Sequence, residues 1–271
     1  VPLRVAFLGH TATHGAHALH LCAGGLDPSF VDVREGDDPA RVGAALSAVR
    51  PHVVVSFVPD PVNVRAATLA VVPAEAEAPE GFDRVLRTPG PGAEHAWRSR
   101  PLPVDDRLYA DVRPMAARPR ALCLARSTKD REWVLTPAKH AHDVVHYAHG
   151  LSGDRLAGVL AATDIGIALV REPGRGFPAQ ALMHLAAGQL LLSEQLVPDC
   201  GLEPGIDFLP FNSRDELVTL LMQAELRPDA YDRIRIRGRL KAEEHRASRV
   251  WPRIVADLLQ DVRVFGNTLN A

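Results

Sequence analysis

The strongest constraint on this chain is an alternation of strand-like and helix-like segments that occurs twice. In the first half the strand-like runs are LRVAFLG (3–9), FVDVRE (30–35), HVVVSFV (52–58), ATLAVVP (67–73) and DRVLRT (83–88). Residues 13–23 can form a helix. DPARVGAALSAV (38–49) carries a helix start, with Asp38 placed to cap it and Pro39 suited to its first turn. A stretch dense in Pro, Gly and Arg follows (88–120), with little periodicity, and reads as a domain boundary. The alternation then restarts. ALCLARS (121–127), DVVHYAH (143–149), DIGIALV (164–170), QLLLSE (189–194) and DFLPF (207–211) read as strands. KDREWVLTPAKHA, SGDRLAGVLAAT (152–163), residues 178–187 and SRDELVTLLMQAEL (213–226) read as helices between them. Ser152 and Ser213 are the expected caps, and Glu216 completes a capping box with Ser213. Residues 227–262 are largely helical in pattern, with an interruption expected near Pro252.

Strands joined by helices favour parallel sheets covered on both faces. The expected fold class is therefore α/β, with two doubly wound Rossmann-like domains facing across a cleft and a reduced first domain. The expected division is 1–104, 105–255 and a C-terminal helix or tail, 256–271. In such sheets a ligand binds at the carboxyl ends of the strands.

Composition excludes several functions. A net charge of −2 over 271 residues gives no global basic field for nucleic acid. The basic run RIRIRGRLK (233–241) is flanked by Asp229, Asp232, Glu243 and Glu244, and reads as a solvated helix face rather than an RNA surface. No apolar run approaches the ~20 residues of a membrane span. The first ten residues read as a strand and not as a signal peptide, and Cys22, Cys123 and Cys200 are too scattered for a disulfide framework or a zinc site. A cytoplasmic protein is the expectation. GHTATHG after the first strand lacks the glycine spacing of a dinucleotide fingerprint. His10, His14, His17 and His20 have helical spacing but no acidic or cysteine partner nearby, which favours solvent-facing side chains over a metal site. His10 differs from the others because it directly follows the first strand, where a ligand cleft would lie, and it is kept as a candidate catalytic group.

Four ordered segments carry a resemblance: HGLSGDRLAGVLAATDIGIALV, FPAQALMHLAAGQLLLSEQ, GLEPGIDFLPFNSRDELVTLL and EEHRASRVWPRIVADLL. Together with WRSRPLPVDDRLYADV they resemble, across roughly 105–260, the nucleotide-binding domain of GT-B glycosyltransferases, and most nearly the group related to the CgeB spore-maturation proteins. The resemblance implies a nucleotide-sugar donor held by the second domain, an acceptor of unknown identity on the first, and no cofactor or metal. A leaving nucleoside diphosphate develops negative charge, and such enzymes meet it with basic side chains and helix N-termini. Arg131 and Lys129, in ARSTKDRE, are the corresponding catalytic candidates, with Ser127 beside them. His149 and Gly150 end the next strand, where the base would approach. Gly174, Arg175, Gly176 and Phe177 form the loop expected to wrap the sugar and diphosphate. Glu194 matches a polar position that the family keeps.

One departure stands out. Related enzymes carry one or two glutamates in this region, five residues before the helix-terminating glycine and eight before that. Here those positions are Met183 and Arg175. A carboxylate at the first accepts hydrogen bonds from ribose hydroxyls, whereas methionine cannot. The loss weakens binding by about 1.5–3 kcal/mol, one to two decades in affinity. Gln180 and His184 are nearby acceptors at other angles on the helix. The expected function is metal-independent sugar transfer. The second reading is a GT-B-like protein without catalysis that binds a ligand, a protein partner or another copy of itself.

Overall fold

The structure is a computed structural model and describes residues 2–10, 25–90, 98–149, 151–170 and 177–266. The chain divides into two compact units. The first comprises residues up to Asp106 together with those from Arg246 onward, and the second is Arg107–His245.

In the first unit, β1 (Leu3–Gly9), β2 (Leu26–Asp32), β3 (Val53–Ser56), β4 (Ala67–Val72), β5 (Arg84–Arg87) and β6 (Arg98–Ser99) form one sheet in the order β2-β1-β3-β4-β5-β6. Every pairing is parallel. β2 begins four residues earlier than its hydrophobic pattern implied and runs through Pro28. That is tolerated because β2 is an edge strand, where a missing N–H leaves no ladder bond broken. α1 (Pro39–Val49) starts as its sequence predicts: Asp38 accepts a hydrogen bond from the Ala40 N–H at 2.9 Å, and Pro39 occupies the first turn.

The two faces of this sheet are covered differently. Ala6, Leu8 and Val54 pack with Leu46 of α1 on one side. On the other, Val5, Phe7, Val53, Val55, Leu69 and Leu86 pack against a long C-terminal helix, α7 (Ala247–Phe265), through Trp251, Ile254, Val255 and Leu258. The C-terminal helix therefore belongs with the first sheet. Residues 246–255, assigned to the second domain on pattern alone, lie in the first unit.

The second unit holds β7 (Ala121–Cys123), β8 (Val144–His146), β9 (Ile165–Ala168), β10 (Leu190–Ser193) and β11 (Leu209–Pro210), also all parallel, in the order β11-β10-β9-β7-β8. α2 (Lys129–Ala141) follows β7, and α5 (Arg214–Leu226) follows β11. Leu135, Ala138, Leu217 and Leu221 of these helices pack on Cys123, Ile165, Ile167, Leu190 and Leu192. The other helices of this unit are α3 (Gly153–Ala161), α4 (Ala179–Ala186) and α6 (Asp232–Ala242). Gly166 faces α4 so closely that a Cβ there would overlap the His184 ring.

The cap at Ser213 forms as expected, taking the Glu216 N–H at 3.1 Å, but Glu216 reaches back to the Asn212 N–H rather than to that of Ser213. Ser152 stands at the N-cap of α3 without a side-chain capping bond. The C-terminal helical region breaks at 243–246, between α6 and α7, and α7 continues through Pro252. Burial of the adjacent Trp251 accounts for this, because tertiary packing outweighs the single backbone bond that proline removes.

Candidate active site

In the second sheet the chain goes from β7 outward to β8, then crosses back to lay β9 on the opposite side of β7. The helices that follow β7 and β9, α2 and α4, therefore lie on opposite faces of the sheet, which opens the crevice in which doubly wound sheets bind ligands. A pocket of about 430 Å³ lies there. Its walls come from three strand ends: Thr128, Asp130, Arg131, Trp133 and Val134 after β7, Leu169 and Val170 after β9, and Glu194 after β10.

Local chemistry builds the wall formed by α2. Thr128 is an extended N-cap whose hydroxyl accepts from the Arg131 N–H at 3.4 Å. That bond satisfies one first-turn donor and leaves other first-turn N–H groups at the mouth of the pocket. The aligned helix dipoles make this end electropositive. The Arg131 guanidinium adds a full charge. It is held by donating from Nη1 to the Arg126 carbonyl at 3.0 Å, while its buried Nε makes no hydrogen bond among the described residues.

Glu194 answers from the opposite wall. One carboxylate oxygen accepts the Val170 N–H at 2.7 Å and so fixes the backbone just beyond β9. Burial raises the pKa of this carboxyl above its ordinary value, against the opposing effects of the Val170 hydrogen bond and the charge of Arg131. Beneath the pocket, burial pushes the Cys123 thiol up to about 12, so it is an inert packing group.

Of the residues singled out in the sequence, Arg131 and Glu194 share the pocket. Lys129 is the first residue of α2 but is exposed and outside the pocket lining. The Ser127 hydroxyl donates to Glu132 at 2.6 Å. His149 is exposed beyond β8, and Phe177 and Met183 are half-buried, the latter on α4. His10 directly follows β1 in the first unit. Gly150, Gly174, Arg175, Gly176, His14, His17 and His20 lie outside the described residues.

His184 is no ligand for a ribose. It is fully buried, its Nδ1 is 2.6 Å from Gln189 Oε1, and Gln189 in turn donates to the Leu160 carbonyl at 2.8 Å. The sequence reading overlooked Trp133, Thr128 and the Leu169–Val170 floor. Thr128 had a legible signal, a hydroxyl immediately before a helix. Trp133 had none, because an aromatic at that point in a helix is equally compatible with the core.

Among the described residues, no group of three or more His, Cys, Asp or Glu side chains is arranged to hold a metal ion. No described helix is long and apolar enough to cross a membrane.

No protein-family model matches the chain, and no curated protein matches it by sequence. Solved structures do match in fold. A glycosyltransferase from Rickettsia africae ESF-5 aligns with a TM-score of 0.63 at 10% identity, over 97% of this chain and 99% of that one. The sucrose-phosphate synthase of Thermosynechococcus elongatus aligns at 0.62 and 10% identity, over 96% and 99%. HepE of Anabaena, crystallised with UDP-glucose, aligns at 0.61 and 10% identity, over 96% and 100%. These neighbours are GT-B glycosyltransferases, and the chain has their fold: two Rossmann-like α/β domains, each built on a parallel sheet.

Proposed function

We propose that this chain is a glycosyltransferase that binds a nucleotide-sugar donor in its second unit and passes the sugar to an acceptor. The observation that carries the reading is the meeting of Arg131, the α2 N-terminus and Glu194 in one pocket at the β7/β9 switch point. The fold neighbour HepE was crystallised with UDP and with UDP-glucose, which supports a donor of that class. The ordered second-half segments still point to the CgeB-like group, and a cytoplasmic setting fits the scattered cysteines.

Chemistry follows from charge. As the glycosidic bond to the diphosphate breaks, negative charge grows on the leaving oxygen. The Arg131 guanidinium and the first-turn N–H groups of α2 stabilise it in place of a divalent ion. Lys129, on the same turn, adds a mobile cation at the rim. Asp130 and Glu194 oppose this field, but the raised pKa of Glu194 and its bond to Val170 moderate its share. Glu194 offers its second oxygen to a sugar hydroxyl. Ser127, His149, Gly150 and the loop of Gly174, Arg175, Gly176 and Phe177 complete the proposed donor site, and His10 is the proposed acceptor-contacting group of the first unit.

Met183 favours a second reading, a GT-B-like protein that binds a ligand or partner without transferring sugar. Its side chain leaves ribose hydroxyls without a carboxylate acceptor.

The two readings separate by calorimetry and donor turnover with UDP, ADP and GDP and their glucose conjugates. A saturating nucleotide at one hundred times its Kd stabilises the fold by about 2.7 kcal/mol. Arg131→Ala is expected to weaken nucleotide binding by about tenfold or more and to depress donor hydrolysis further. Binding without turnover selects the second reading. Absence of any nucleotide binding at millimolar concentration overturns the donor site.

A further inference from the structure

The pocket has a feature that phosphate chemistry does not use. Trp133, which lines it, is 60% exposed. The Arg214 guanidinium, from the first turn of α5, lies over its ring at 4.7 Å from the centroid. An exposed tryptophan alone means little. This one is held in orientation by a stacked cation, and it lines the same pocket as the electropositive helix end. Trp133 is five positions beyond Thr128, about 7.5 Å along the helix axis. A nucleoside diphosphate has the same polarity, with anionic groups at one end, a planar π system at the other and a ribose between them.

We infer that Trp133 is the platform on which the base of the nucleotide stacks, with Arg214 holding the indole in position. The inference rests on the donor-binding reading above. It fixes the direction of the bound nucleotide: diphosphate at the start of α2 beside Arg131, base one and a half turns further along the same helix. It also fixes a specificity class. Stacking accepts any base, because every base has a π face. Trp133 therefore contributes affinity for nucleosides as a class, and a choice among bases has to come from hydrogen-bonding groups elsewhere.

The test is tryptophan fluorescence together with calorimetry on the full chain, using UDP, ADP, GDP and inorganic pyrophosphate. The chain has three tryptophans, and Trp251 is fully buried, so Trp133→Phe isolates the signal of interest. Each nucleoside diphosphate is expected to quench emission in the native protein and to leave it unchanged in Trp133→Phe, which still binds. Trp133→Ala is expected to weaken all three by about tenfold or more while leaving pyrophosphate affinity unchanged. Nucleotides that bind Trp133→Ala as tightly as the native chain overturn the platform and leave the donor site standing. A native chain that binds neither nucleotide nor pyrophosphate overturns the donor site and the platform with it. Arg131→Ala serves as the complementary control, because it is expected to weaken pyrophosphate and nucleotide alike.

Discussion

His184 shows how the fold turns a chemically versatile side chain into a packing element. It sits on α4 against Gly166 of β9, with no exposed surface. Burial drives its pKa from 6.5 down to about 4, partly offset by the Gln189 hydrogen bond, so it is neutral at pH 7. An unfolded chain protonates this imidazole below about 6.5, whereas the folded one resists until about 4. Stability is therefore complete at neutral pH and is lost as pH falls through that interval. Between pH 7 and pH 5 the expected loss from this residue is about 2 kcal/mol. Urea unfolding at the two pH values should show a smaller loss for His184→Leu than for the native chain; an equal loss would show that burial does not shift the titration of this imidazole. Its neighbour Met183 is the opposite case, a half-buried apolar group at the position where the resemblance to GT-B enzymes implies a carboxylate. If the pocket holds a ribose, Met183→Glu should tighten UDP binding by about tenfold, and unchanged affinity would show that this helix face does not meet the nucleotide. Sequence made Met183 legible, since its spacing from Gly188 is a matter of counting. It did not make the burial of His184 legible, because that depends on a glycine eighteen positions earlier on a neighbouring strand.

At the scale of elements, the strands were readable and their partners were not. Four of the five runs expected as first-sheet strands recur with either end trimmed by at most two residues, because continuous β-branched runs suit strands buried on both faces. β2 is shifted towards the N-terminus, and β6 is a two-residue strand inside the Pro-rich stretch, too short for any periodicity to show. The attachment of α7 was equally hidden. It depends on Arg84, fully buried in β5, whose guanidinium donates to the Asp261 and Gly266 carbonyls at 3.1 Å each. Those carbonyls belong to the end of α7, where a helix presents unpaired oxygens and partial negative charge. An arginine within a strand pattern reads as an edge or an error until the helix it caps is known. Arg84→Ala should destabilise the first unit by about 2–3 kcal/mol, since it removes charge-assisted bonds to two half-buried carbonyls. Arg84→Lys should recover only part, because an ammonium cannot reproduce the two-pronged fork. Thermal unfolding of both variants decides the point, and a native-like midpoint for Arg84→Ala would remove this contact from the stability of α7.

Across the whole molecule, the chain leaves the first unit at Asp106, builds the second and returns at Arg246. The crossing points are joined by local bonds within the first unit: Ser248 Oγ donates to Asp106 at 2.5 Å, and the Ala247 N–H donates to the Val104 carbonyl at 2.9 Å. The second unit is thus inserted into the first, and the stability of the first depends on residues at both chain ends. Trp251 makes the dependence concrete. It is fully buried, and its ring meets Phe7 edge-on with centroids 5.2 Å apart. A chain ended after His245 strips the sheet of its entire α7 face, whereas the core of the second unit draws on none of the missing residues. Such a chain should therefore show a first unit open to limited proteolysis within residues 2–90 and a second unit that still resists it. Trp251→Ala is the milder form of the same test, expected to cost about 3–5 kcal/mol in the first unit alone. Since the proposed donor pocket lies wholly within Arg107–His245, both chains should retain nucleotide affinity while losing sugar transfer. Loss of nucleotide affinity together with the first unit would show instead that the pocket is not self-sufficient.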